Sequence, residues 1–189
     1  MLNSSCALID NDFLSHSLDM KKEEDEICDV LSQVFKALDK TPVIHPWIAT
    51  YEILKNDKMV NKVISESIVY VASWSNVHNG DDNQKIYYQI LFKELYKKIS
   101  GKQLEAVDIF TYCVRGQSLG ELHNIATCMF CGCNLILSDD EDTKIFKRII
   151  SQTATCNFSV YTRSEVVERI RGIEGTPKRS ELRSFAHAK

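Results

Sequence analysis

The feature that most constrains this chain is a pair of short, wholly apolar runs that each stop at acid. Cys6-Ala7-Leu8-Ile9 ends at Asp10, and Leu135-Ile136-Leu137 ends at Ser138-Asp139-Asp140. Runs this short, without polar alternation, do not read as helices. They read as strands buried on both faces, the mark of a parallel sheet covered by helices.

Helical periodicity fills the space between them. Residues 23–40 carry Ile27, Val30, Leu31, Val34, Phe35 and Leu38 at three- and four-residue spacing. Asp12 is placed to cap a short helix over Phe13, Leu14 and Leu18. Thr41-Pro42 breaks the long helix, 43–45 is a brief extended piece, and Pro46 suits the first turn of a helix bearing Trp47, Ile48, Tyr51, Ile53 and Leu54. Ile68-Val69-Tyr70-Val71 reads as a strand, and 76–83 as a turn around Asn79-Gly80. A helix follows over 84–99, its stripe being Ile86, Tyr87, Ile90, Leu91, Leu95 and Ile99. Residues 107–114 read as weakly helical. Ser118 and Glu121 have the spacing of a capping box opening a helix that Gly132 ends. A helix over 143–151, a strand over 158–161 and a helix over 164–171 complete the pattern. Strands alternating with helices predict a three-layer α/β fold with a central parallel sheet and helices on both faces.

A chain of 189 residues, 44% hydrophobic, suits one domain with a terminal appendage. The boundaries are 1–171 for the domain and 172–189 for a basic tail or short docking helix. No apolar run approaches the ~20 residues of a membrane span, and no basic segment precedes the first apolar run, so a cytoplasmic protein without a membrane partner is expected. Seven cysteines, scattered through apolar segments, read as free thiols of a reducing compartment. Cys128, Cys131 and Cys133 resemble half of a zinc site, but no second cluster supplies the remaining ligands. The net charge of −3 is uneven: residues 1–142 sum to −9 and residues 144–189 to +6. A basic end of this kind either meets a polyanion or is a solvated tail.

The chemistry lies where the strands stop. Ligands of open α/β sheets bind beyond the carboxyl ends of the strands. Asp10, Asp139 and Asp140 would gather there, and adjacent carboxylates repel unless a cation or donor sits among them. Hard oxygen donors suit Mg²⁺ or Mn²⁺. Each Asp is also a good helix cap taken alone.

Four segments, in order over about 160 residues, resemble the motifs of PIN-domain ribonucleases. Ala7-Leu8-Ile9-Asp10-Asn11-Asp12-Phe13-Leu14 resembles the opening strand that delivers an Asp. His45-Pro46-Trp47-Ile48-Ala49-Thr50-Tyr51-Glu52-Ile53-Leu54 resembles the helix presenting a Glu, with Glu66 an alternative second acid. Ser118-Leu119-Gly120-Glu121-Leu122-His123-Asn124-Ile125-Ala126 resembles the third motif and Leu135-Ile136-Leu137-Ser138-Asp139-Asp140 the fourth. The resemblance implies a PIN-like fold whose helical region, 60–116, is enlarged. It implies a metal-dependent endoribonuclease with catalytic Asp10, Glu52, Glu121 and Asp139. Mg or Mn would be held by Asp10, Glu121, Asp139 and Asp140, with Asp142 left open as an alternative in the fourth motif. The product ends would be a 5′-phosphate and a 3′-hydroxyl. Ser138 and His123 would meet substrate, although His123 also fits a buried histidine and Ser138 a partner for a carboxylate. RNA would be the substrate, a protein inhibitor or antitoxin a partner, as in toxin–antitoxin pairs, and a homodimer one assembly. Two alternatives stand beside this: a regulatory interaction module with weak or no nuclease activity, and a small-molecule phosphohydrolase.

Overall fold

The computed structural model describes residues 2–18, 20, 22–53 and 58–188. Its centre is a five-stranded, all-parallel sheet in the order β3-β2-β1-β4-β5. The first strand, β1 (Cys6–Ile9), is buried along its whole length and pairs in register with β2 (Thr41–Ile44) and β4 (Leu135–Leu137). The outer strands, β3 (Tyr70–Val71) and β5 (Ser159–Tyr161), pair with β2 and β4. The two apolar runs thus lie side by side at the middle of the sheet.

Parallel neighbours need crossovers, and helices supply them. Between β1 and β3 run α1 (Asn11–Leu18), α2 (Glu24–Leu38), α3 (Pro46–Tyr51) and α4 (Lys58–Ser65). On the return come α5 (Trp74–His78), α6 (Asp82–Ser100), α7 (Leu119–Cys131) and α8 (Glu141–Ser151). Helices α6, α7 and α8 pack on one another, while α1 touches α2 and α4. The last two helices, α9 (Arg163–Ile170) and α10 (Arg179–His187), pack together, with α9 also against α2. The fold is therefore a three-layer α/β arrangement. Strand order turns around between β1 and β4, and such a switch point opens a crevice beyond the strand ends. Among the described residues no helix is long and apolar enough to cross a membrane.

Pro42 sits inside β2 without breaking the sheet, because β3 reaches only Val43 and Ile44. At Pro42 the strand is effectively an edge, where a missing N–H leaves no gap in a ladder.

Several elements differ from the sequence reading. The strand expected over 68–71 is only Tyr70–Val71, because the Ile68 and Val69 N–H groups turn back to the Val63 carbonyl in the last turn of the preceding helix. The turn expected over 76–83 begins inside α5, and only Asn79, at φ 56°, and Gly80 make the turn. The stripe of α6 is rotated: Tyr88, Phe92, Leu95 and Tyr96 are buried, while Ile86, Tyr87 and Ile90 are exposed. Residues 107–114 form no helix, since the Asp108 carboxylate takes the Phe110 N–H and holds a local turn instead. Ser118 stands at the N-cap of α7 but makes no side-chain cap bond; its hydroxyl goes to Asp142 at 2.7 Å. Segment 172–189 contains α10, whose Leu182 and Phe185 are buried, Phe185 against Phe13 of α1. Of the second motif, Leu54 lies outside the described residues.

Candidate metal centre

The switch point positions the acids through main-chain bonds. The Asp10 N–H donates to the Leu137 carbonyl at 2.9 Å, and the Ser138 N–H to the Tyr161 carbonyl at 3.1 Å. Each bond carries the sheet ladder one residue past its strand, so Asp10 and Ser138 sit rigidly side by side. Asp10 is almost fully buried. The buried Ser138 hydroxyl gives its proton to Asp10 Oδ2 at 2.9 Å, with Asp12 Oδ1 farther at 3.5 Å. Ser138 Oγ accepts in turn from the Asp140 N–H and from Thr143 Oγ1, both at 3.1 Å. Of the two roles open to Ser138, the geometry has the one that fixes a carboxylate.

Glu52 arrives by a different route. His45 ends β2 and caps α3 by accepting the Trp47 N–H at 3.1 Å, with Pro46 at the first helical position. The six-residue α3 then delivers Glu52 at its C-cap. There Glu52 accepts the Gly120 N–H at the start of α7. A Cβ on residue 120 would lie 2.3 Å from Glu52 Oε1, so glycine is what lets the carboxylate reach this helix end. The next residue is Glu121, whose Oε2 is buried with no hydrogen-bond partner among the described residues.

These carboxyls act on one another. Burial raises the pKa of Asp10, and the charges of Asp12 and Glu52 raise it further, against the Ser138 bond. Burial also raises Glu121, with Asp10 next in effect. Glu52 is pushed up to about 7 by burial and then by Asp12 and Asp140, against the Gly120 N–H. Asp12 is pushed up to about 6, again chiefly by burial. Asp10, Asp12, Glu52, Glu121 and Asp140 are therefore one electrostatic cluster, drawn from four separate segments. Asp12 was expected only as a cap. Its place in the first turn of the helix that leaves a strand-end acid was the available signal.

Asp139 is held differently, although its charge also raises the pKa of Asp12. Its Oδ1 accepts the Arg163 N–H at 2.9 Å, and its Oδ2 forms an ion pair with Arg163 Nε. His16 Nδ1 is 3.7 Å from the same Oδ2. Both oxygens are thus engaged at the start of α9. Asp140 caps α8 through the Asp142 N–H at 2.8 Å, the bland role of Asp, while still acting on Glu52, Glu121 and Asp12.

His123 is wholly buried. It stacks on Phe92, His45 and Trp47, and its Nδ1 lies 3.0 Å from the Tyr88 hydroxyl. Burial holds its pKa well below the usual histidine value, with His45 adding to the effect. It is a neutral core residue with no face open to a substrate, which is the buried alternative the sequence allowed. Cys128 and Cys133 are likewise buried, and burial pushes the Cys133 thiol up to about 12.

Among the described residues, no group of three or more His, Cys, Asp or Glu side chains is arranged to hold a metal ion. The donor chemistry nevertheless suits a hard cation: carboxylate oxygens, mutual repulsion, and an unpartnered buried oxygen on Glu121. Neither protein-family models, curated proteins nor solved structures provide a match to this chain.

Proposed function

We propose that the acidic cluster is the site of a divalent-metal-dependent nuclease that hydrolyses phosphodiester bonds in RNA. The observation that carries this reading is the convergence of Asp10, Glu52 and Glu121 at the strand-end switch point, with all three carboxyls raised in pKa. Such perturbed clusters in strand-end crevices are where function concentrates. The choice of RNA rests on the resemblance to PIN-domain ribonucleases.

In this reading Asp10, Glu52 and Glu121 would hold Mg²⁺ or Mn²⁺. The ion supplies an activated water and stabilises charge on the phosphoryl and leaving oxygens. Ser138 keeps Asp10 in one orientation, and Gly120 keeps Glu52 at the head of α7. Asp12 and Asp140 orient water around the reacting phosphate. Asp139 is left out of the ligand set because Arg163 neutralises it.

The test is cleavage of an end-labelled RNA pool with Mn²⁺ or Mg²⁺ present. Cleavage should vanish in EDTA and fall more than about 100-fold in Asp10→Asn. A folded protein that cleaves no RNA under any of these metals would sink the reading. One observation favours a second reading, a catalytically silent interaction module: among the described residues the acids are not arranged as a metal site. Cleavage of a small phosphoester but not RNA would instead indicate a phosphohydrolase.

A further inference from the structure

Three arginines of the basic segment 144–189 line a single cavity. A pocket of about 380 Å³ lies between the end of α9 and the start of α10, lined by Val167, Arg171, Thr176, Arg179, Leu182 and Arg183 among others. Three arginines line it, and no acidic side chain does. Arg171 also pairs with Glu168 at 2.8 Å. Arg179 and Arg183 are exposed and enter no ion pair among the described residues. They stand four residues apart, so they share one face of α10. The first turn of α10 borders the pocket, and its Glu181 carboxylate turns away to accept the Lys178 N–H at 2.8 Å and to pair with Lys22.

A cavity lined by three arginine forks, two of them unpaired among the described residues, and by no carboxylate suits an anion, and phosphate is the anion that guanidinium groups match in geometry. We infer that this pocket is a phosphate-binding subsite for the RNA backbone, presented by the end of α9 and the start of α10. The phosphate assignment stands on the pocket; the assignment to RNA rests on the nuclease reading.

The fold explains why the subsite stays in place. A nine-residue helix is not stable alone. Arg163 anchors this one: its Nη1 donates to the Phe185 carbonyl at 3.3 Å and its Nη2 to the Ala188 carbonyl at 2.7 Å. The same guanidinium binds Asp139 through Nε. Asp139 thus serves the acidic edge by holding Arg163, and Arg163 holds the last carbonyls of α10. Arg163 opens α9 and Arg171 follows its end, so at about 1.5 Å of rise per residue the pocket lies a helix length, about 12 Å, from Asp139 and the acidic edge. Positive charge at the pocket offsets the −9 of residues 1–142.

The experiment is a fluorescence-anisotropy titration of labelled single-stranded RNA in EDTA, at about 50 and about 200 mM salt. Binding is read without cleavage, so it is independent of catalysis. The variant Arg179→Gln/Arg183→Gln should bind about tenfold more weakly, with a salt slope shallower by about 1. Arg171→Gln should give a smaller loss in the same direction. Asp10→Asn should bind at least as tightly as the parent, because it removes a repelling charge. Both arginines are exposed, so thermal melts of the double variant should match the parent. Equal affinity and slope in parent and double variant would overturn the proposal, as would absence of RNA binding by the parent at low salt. Failure of cleavage with binding intact and arginine-dependent would instead count against the nuclease reading alone. Stabilisation by millimolar inorganic phosphate that depends on the arginines, without RNA binding, would reassign the pocket to a small phosphorylated ligand and overturn the RNA assignment.

Discussion

Asp10 and Asp139 sit just past adjacent strands on the same edge of one sheet, yet their surroundings make them opposites. Asp10 is buried among other carboxyls, and the charges of Asp12 and Glu52 both disfavour its ionised form. Asp139 has both oxygens taken by Arg163, one by its main chain and one by its guanidinium. The same residue type is a repelled charge in one place and a structural anchor in the other. The residues next to a strand-end acid in the sequence do not decide which; the partner delivered from elsewhere in the fold does. For Asp139 that partner arrives 24 residues later, at the start of α9.

The comparison breaks most violently at Arg163. Arg163→Ala leaves Asp139 without its cation and α10 without its clamp. Removing one member of a buried ion pair costs about 3–5 kcal/mol, so a denaturant titration should show a loss of about 3 kcal/mol or more. A loss below about 1 kcal/mol would mean that the pair is no anchor.

Asp10→Asn should act in the opposite direction in metal-free buffer. Asparagine can still accept the Ser138 hydroxyl but carries no charge. At about pH 8 the variant should be more stable than the parent by about 1–2 kcal/mol, whereas Asp139→Asn should be less stable. If both substitutions destabilise alike, the contrast between the two acids is wrong.

A pH series sharpens the same point without mutation. The unfolded carboxyls titrate near about 4, while folded Asp12 and Glu52 titrate at about 6 and about 7. Across that window the folded chain holds protons that the unfolded chain has released. Stability is therefore greatest below the window and falls as pH rises through it. Asp10 and Glu121, also raised, extend the fall to higher pH. Melting temperatures in EDTA should decline from about pH 5 to about pH 8.5, and millimolar Mn²⁺ should restore them mainly at the alkaline end. A flat profile would show that the acids do not repel.

Gly120→Ala should have the smallest effect on stability. Glu52 is flexible enough to swing away from the new methyl group, and alanine gains up to about 1 kcal/mol of helix propensity over glycine. The melt should barely move, but the Mn²⁺-induced shift should shrink because Glu52 has left the cluster. An undiminished shift would remove Glu52 from the ligand set.

The centre of the fold was legible because its signals were redundant. The runs at 6–9 and 135–137 have no polar residue to confuse the period, and they became the two middle strands. The acids were legible as strand ends for the same reason. The flank was harder. Two stripes of α6 fit helical spacing, and the more aliphatic one, with Ile86 and Ile90, stayed outside. Tyr88 went in because its hydroxyl finds Thr127 at 3.1 Å and His123 at 3.0 Å, partners that only the folded chain supplies. Arg163 escaped notice for a similar reason. Nothing local marks an arginine as the partner of an acid on the neighbouring strand and of two carbonyls near the end of the chain.

The stacked rings behind the site have an optical consequence. The chain contains two tryptophans, Trp47 and Trp74, and both touch the His123 ring on α7. Trp47 belongs to the helix that delivers Glu52, and His123 to the helix that begins beside Gly120 and Glu121. Neutral imidazoles, held so by burial, keep this stack free of a competing titration near neutrality. The intrinsic emission of the protein is thus a label-free gauge of the spacing between the two helices that carry the glutamates.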